Sequence, residues 1–131
     1  MKFVIYGPTY STNKLVKMHW AAKKRLRSNA AWSIVAAAAN AGSPLPPADQ
    51  GPPEIRMRVH LTICRRRRFD PDNVHGGIKI LLDAMRDLAL IKNDSPKWLD
   101  LKVDQKLEPD KALERTEVEI DPAENPRGGA Q

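Results

Sequence analysis

Ile55, Met57, Val59, Leu61 and Ile63 alternate with Arg56, Arg58, His60 and Thr62, apolar against polar. A period of two sends successive side chains to opposite faces of a strand, so this segment reads as a β-strand with one face buried and one face wet. The buried face needs a covering layer, and the chain supplies one soon afterwards. Ile78, Leu81, Leu82, Met85 and Leu88 fall at i, i+3, i+4, i+7 and i+10, a single apolar stripe of an amphipathic helix, with Lys79, Asp83 and Arg86 off the stripe. A second helix is expected over about residues 18–40, which are alanine-rich and free of proline, with Trp32, Val35, Ala36 and Ala39 at helical spacing. Its first half is basic through Lys23, Lys24, Arg25 and Arg27.

Around these elements the punctuation is clear. Residues 3–6 read as a short strand halted by Gly7-Pro8, followed by polar loop chemistry over 9–13. Pro44, Pro46, Pro47, Pro52 and Pro53 mark a proline-rich loop over 41–53, expected to be mobile, because proline can neither continue a helix nor join a sheet interior. After the turn chemistry of Asn93-Asp94-Ser95-Pro96, two more strands are expected, about 99–107 and 116–120, separated by Glu108-Pro109-Asp110. With 131 residues the chain is one domain's worth. The expected fold is a single α+β domain over 1–121, a mixed sheet of four or five strands with two principal helices packed against it. Residues 122–131 are expected to be a disordered tail.

Charge narrows the partners. Lys and Arg outnumber Asp and Glu by 22 to 16, for a formal net charge of +6, which favours nucleic acid first and an anionic membrane surface second. Cys64 is the only cysteine, so an internal disulfide or a multi-cysteine zinc site is excluded and a reducing, cytoplasmic setting is expected. The first residues reach Gly7-Pro8 too soon for a signal-peptide core, and no apolar run is long enough to span a bilayer.

The densest chemistry lies in Arg65-Arg66-Arg67-Arg68-Phe69-Asp70-Pro71-Asp72-Asn73. Guanidinium groups attract phosphate, whereas carboxylates repel it unless a divalent cation lies between. If the strand's polar parity continues unbroken, Arg66, Arg68, Asp70 and Asp72 share one face, and the two carboxylates stand roughly 7 Å apart, close enough to converge on a metal. Pro71 would hold Asp70 extended. Structural explanations stand beside each of these. Asp72 or Asn73 caps the next helix while Asp70 offsets arginine charge. Asp94 is a turn residue, Lys79 and Asp83 are a solvated pair one turn apart, and the arginines are a solvated strand end. Cys64 suits packing better than nucleophilic attack, which needs a base that only His60 would offer, and His19, His60 and His75 are too scattered to form a ligand set.

Taken in order, arginines, Asp70-Pro71-Asp72-Asn73, Lys79-Ile80-Leu81-Leu82-Asp83-Ala84-Met85 and Asn93-Asp94-Ser95 resemble the signature of the RusA family of Holliday-junction resolvases, endodeoxyribonucleases common in bacteriophages and prophages. The segment Pro8-Thr9-Tyr10-Ser11-Thr12-Asn13-Lys14 is similar to the family's entry loop. Two departures stand out: Asn93 replaces the first of an acidic pair, and Lys79 follows Asn73 by six residues, with His75-Gly76-Gly77 in the gap. The resemblance implies that Asp70, Asp72 and Asp94 bind metal, one or two Mg²⁺ per site with Mn²⁺ as a substitute, and that Lys79 is catalytic. Arg65, Arg66, Arg67 and Arg68, with Lys23, Lys24, Arg25 and Arg27, would bind DNA. It further implies a homodimer, since a four-way junction has approximate two-fold symmetry and paired cuts need paired sites. The expected role is resolution of branched DNA in recombination and repair, with no membrane and no organic cofactor. Two other functions remain open, a nuclease for flaps, forks or other branched DNA and a non-catalytic nucleic-acid-binding module.

Overall fold

The computed structural model describes residues 1–7 and 17–123. The 8–14 loop and Arg127 therefore lie outside the described residues, as does the side chain of Asp72. In chain order the elements are β1 (Lys2–Tyr6), α1 (Trp20–Asn40), β2 (Met57–Arg65), α2 (Pro71–Asp87), β3 (Leu99–Leu107) and β4 (Arg115–Pro122), with 3-10 turns at Ala48–Gln50 and Lys111–Leu113. The strands form one mixed sheet in the order β1-β4-β2-β3. β2 runs parallel to β3, and β4 is antiparallel to both β1 and β2. A parallel pair cannot be joined by a tight turn, and α2 supplies the crossover. The result is the expected single α+β domain, with four strands and two helices.

β2 is paired on both sides, which explains why its sequence alternates most clearly. Val59, Leu61 and Ile63 are fully buried, and in register they face Ile120, Val118 and Thr116 of β4. The helices close over this side: Ile78, Leu81, Leu82 and Met85 of α2 and Ile34 and Ala38 of α1 join the same core as Phe3, Leu99 and Ile120. The apolar stripe foreseen for α2 is thus the one it buries.

For α1 the expected stripe is the wrong face. Trp32 is 74% exposed, and Val35, Ala36 and Ala39 also face outward. The covered side carries Ile34 and Ala38, with Ala30, Ala31 and Ala37 packed beside them, where α1 meets β1 and α2. Alanines surround this helix, so apolar spacing does not single out one face; contact with β1 and α2 does.

A second correction concerns the end of β2. The strand stops at Arg65, whose carbonyl accepts the Glu108 N–H at 2.7 Å. Phe69 is then pinned to β3 by a two-way bond with the Gln105 side chain, its N–H donating at 2.8 Å and its carbonyl accepting at 3.0 Å. Pro71 opens α2, its lack of an N–H costing nothing at a first helical position. Asp70 does take the extended conformation expected before proline, with φ −61° and ψ 146°. The strand parity is nevertheless broken, and the face shared by Arg66, Arg68, Asp70 and Asp72 does not form.

In the 41–53 segment, Leu45 packs on the core and the one regular element is the Ala48–Gln50 turn. At the other end β4 runs on to Pro122, and the Ala123 N–H donates to the Arg56 carbonyl at 2.9 Å, so pairing continues past residue 121. No helix among the described residues is long and apolar enough to cross a membrane.

Candidate active site

α2 ends in a reversal that aims the following loop back along the helix. The Leu90 N–H donates to the Met85 carbonyl and the Ala89 N–H to the Arg86 carbonyl, at 2.9 and 3.0 Å, the paired bonds of a Schellman cap. Ala89 occupies the left-handed position of that cap, with φ 59°. Leu90 and Ile91 are buried, anchoring the chain before it surfaces. Asn93 then accepts the Ser95 N–H through Oδ1 at 2.9 Å, so the residue standing in place of an acid has a turn-forming role.

This loop brings Asp94 to Lys79. Lys79 Nζ donates to Asp94 Oδ2 at 2.5 Å and lies 3.2 Å from Asp83 Oδ1, while Arg86 reaches the same Asp83 oxygen at 3.9 Å. The Asp94 hydrogen bond, and then that of Asp83, raises the Lys79 pKa above the ordinary lysine value. The bond from Lys79 lowers that of Asp94 below the ordinary carboxylate value. Both are charged at neutral pH. Motif residues remote in sequence are in contact, and Asp83, which belongs to the same motif and which sequence also explained as a solvated partner of Lys79, is a third member of the cluster.

Asp70 has a different setting. Its backbone caps α2, with the carbonyl accepting from Asn73 and Val74 N–H at 2.8 and 3.2 Å, but its exposed side chain makes no capping bond. The N-cap position is thus Asp70, the residue before Pro71, and not Asp72 or Asn73 as expected. At 1.5 Å per residue, Asp70 and Lys79 are separated by about 13 Å along the helix axis. Lys79 also bonds Asp83 on its carboxyl side, so its cluster with Asp94 lies away from Asp70. Among the described residues no three His, Cys, Asp or Glu side chains are grouped closely enough to hold a metal ion.

The basic residues divide in the same way. Lys23, Lys24, Arg25, Arg66, Arg67 and Arg68 are exposed. Arg27 instead bonds Asp87 through Nε and Nη2 at 2.6 and 2.5 Å, tying α1 to α2. Arg65 is folded inward, its guanidinium 3.9 Å from the centre of the Phe69 ring. Cys64 is buried, and burial pushes its thiol pKa up, as suits a packing residue. His60 faces Asp104 at 2.7 Å, and a His19 ring nitrogen accepts the Ala21 N–H to cap α1. Compared with known proteins, the chain matches no family model and no curated protein.

Proposed function

We propose that the chain is a metal-dependent endodeoxyribonuclease that resolves four-way DNA junctions as a homodimer. The observation that carries this reading is the contact of Lys79 with Asp94: an ordered motif of a lysine and a distant aspartate is joined by an ion pair across the α2 reversal. Asp70, Asp72 and Asp94 are the proposed Mg²⁺ ligands; Asp94 is bonded to Lys79 farther along α2, so it would have to leave that pair to join Asp70 at a metal. The donor chemistry fits, since Mg²⁺ takes oxygen ligands and often only one or two carboxylates beside water and substrate phosphate. The uncapped Asp70 carboxylate is such a donor. A bound Mg²⁺ would supply Lewis-acid activation of water and neutralise charge on the leaving oxygen.

The chain's own groups do the rest. Asp83 and Asp94 keep Lys79 protonated and hold its ammonium in place. In the proposed reaction that charge would stabilise negative charge developing at phosphorus. The exposed arginines and the basic start of α1 attract and orient the DNA backbone. One feature favours the second reading, a binding module without catalysis: Asp94 already has a cationic partner in Lys79. A cleavage assay on a mobile four-way junction, run beside flap, linear duplex and single-stranded DNA, decides between them. Mg²⁺-dependent cleavage of the junction, lost with chelator, is expected; tight binding without cleavage under any metal would overturn the assignment.

A further inference from the structure

Arg65 and Glu114 continue the inward columns of β2 and β4 beyond Ile63 and Thr116, placing charge where the core ends. The Arg65 side chain is 23% exposed and that of Glu114 is 10% exposed, with Arg65 Nε 3.7 Å from Glu114 Oε2. Stacking on Phe69 and this carboxylate fix the guanidinium, yet its Nε and Nη1 atoms are buried without a hydrogen-bond partner among the described residues. Those two atoms are closed to solvent, so what Arg65 offers the surface is its positive charge and the remaining exposed part of its side chain. Glu114 also accepts the Arg66 N–H at 3.1 Å, so it braces the start of the arginine run. Beside these residues opens a cavity of about 460 Å³ lined by Arg65, Arg66, Arg67, Lys111 and Glu114. Four cations face one carboxylate there.

We infer that this cavity is a seat for one backbone phosphate of DNA, with Lys111, on the short turn before β4, as a contact outside the arginine run. Arg65 is the fixed guanidinium of the seat and Glu114 its positioning residue; Arg66, Arg67 and Lys111 are the flexible donors. A guanidinium already held by stacking and a carboxylate loses less freedom on binding than a solvated one. The inference rests on the reading that the chain meets DNA, but not on cleavage.

The test is performed with the full chain in chelator, so that nuclease failure cannot affect it. Affinity for a short DNA duplex is measured by fluorescence anisotropy across a salt series. Lys111→Ala should weaken binding several-fold at about 0.1 M salt and reduce the slope of log affinity against log salt by about 0.9, the signature of one lost phosphate contact. Arg65→Met, which keeps a chain to pack on Phe69, should weaken binding likewise. The control is Lys2→Ala, an equal charge loss on β1, which should leave the slope unchanged. Equal slopes for Lys111→Ala and Lys2→Ala would overturn the proposal. So would thermal stabilisation by inorganic phosphate that Lys111→Ala abolishes while the DNA slope is unaltered, because the seat would then belong to a small free anion.

Discussion

At the start of α2 the Asp70 carboxylate is exposed and uncapped, whereas farther along the helix the Asp94 carboxylate is bonded to Lys79, which also lies 3.2 Å from Asp83. The same side chain is an available anion in one place and a neutralised one in the other. The difference comes from backbone: Pro71 starts a helix that uses only the Asp70 carbonyl, while the Schellman reversal after Asp87 returns the chain to the helix's polar flank. A site built from both regions would take one metal ligand ready-made at Asp70 and draw the other, Asp94, out of its ion pair with Lys79.

The strongest challenge to this division is Asp70→Asn. It should reduce Mg²⁺-dependent cleavage by at least about 10²-fold while DNA affinity holds or rises, because ligation and repulsion are removed together. Melting temperature should be nearly unchanged, since no capping bond is lost. Wild-type cleavage by this variant would move the metal away from the start of α2.

On the Lys79 flank the expected effect is on rate alone. Lys79→Ala should slow single-turnover cleavage by about 10²-fold, the scale of one lost electrostatic contact to a transition state, and change junction affinity less than twofold. A constant rate with weakened binding would assign Lys79 to backbone contact.

The reversal itself can be sharpened. Ala89 at positive φ is strained in a way glycine is not, so Ala89→Gly should stabilise the fold by about 1 kcal/mol in denaturant unfolding. Unchanged or reduced stability would show that the reversal does not carry this strain.

The smallest effect is that of the ion pair on stability. Lys79 and Asp94 side chains are 53% and 36% exposed, so solvent screening limits the pair to about 0.5 kcal/mol. The Asp94 pKa is lowered, so its contribution is present above the ordinary value of 3.8 and lost as pH falls through the folded value. The Lys79 pKa is raised, so its contribution is present below 10.5 and lost as pH rises through the folded value. The stability gap between wild type and Asp94→Asn should therefore be flat across neutral pH and close in acid. A gap that persists below the Asp94 transition would mean that the substitution disturbs the turn rather than the pair.

Local pattern carried much of this molecule. The alternation before Cys64 and the stripe from Ile78 to Leu88 gave a strand and a helix whose buried faces are the ones the structure buries, because each side chain's direction follows from a regular backbone period. Ile55 is the exception: it lies before the strand's start at Met57, where that period does not hold, and is exposed. Leu99–Leu107 agrees with the strand expected there. The Pro71 signal, too, was legible in its effect on Asp70, though it marked a helix start rather than a longer strand.

Tertiary structure decided what period cannot. In α1 alanine lies on several sides, so contact with β1 and α2, not sequence spacing, selected Ile34 and Ala38 and left Trp32 outside. The partners of Lys79 and Arg65 depend on where separate elements end: Asp94 arrives through the reversal after α2, and Glu114 through the register of β4 against β2. Sequence determined which residues bear charge and which local backbone they prefer. Only packing brought charges from separate segments together, because the short range of a hydrogen bond makes it depend on the meeting of chain ends that local preferences leave unspecified.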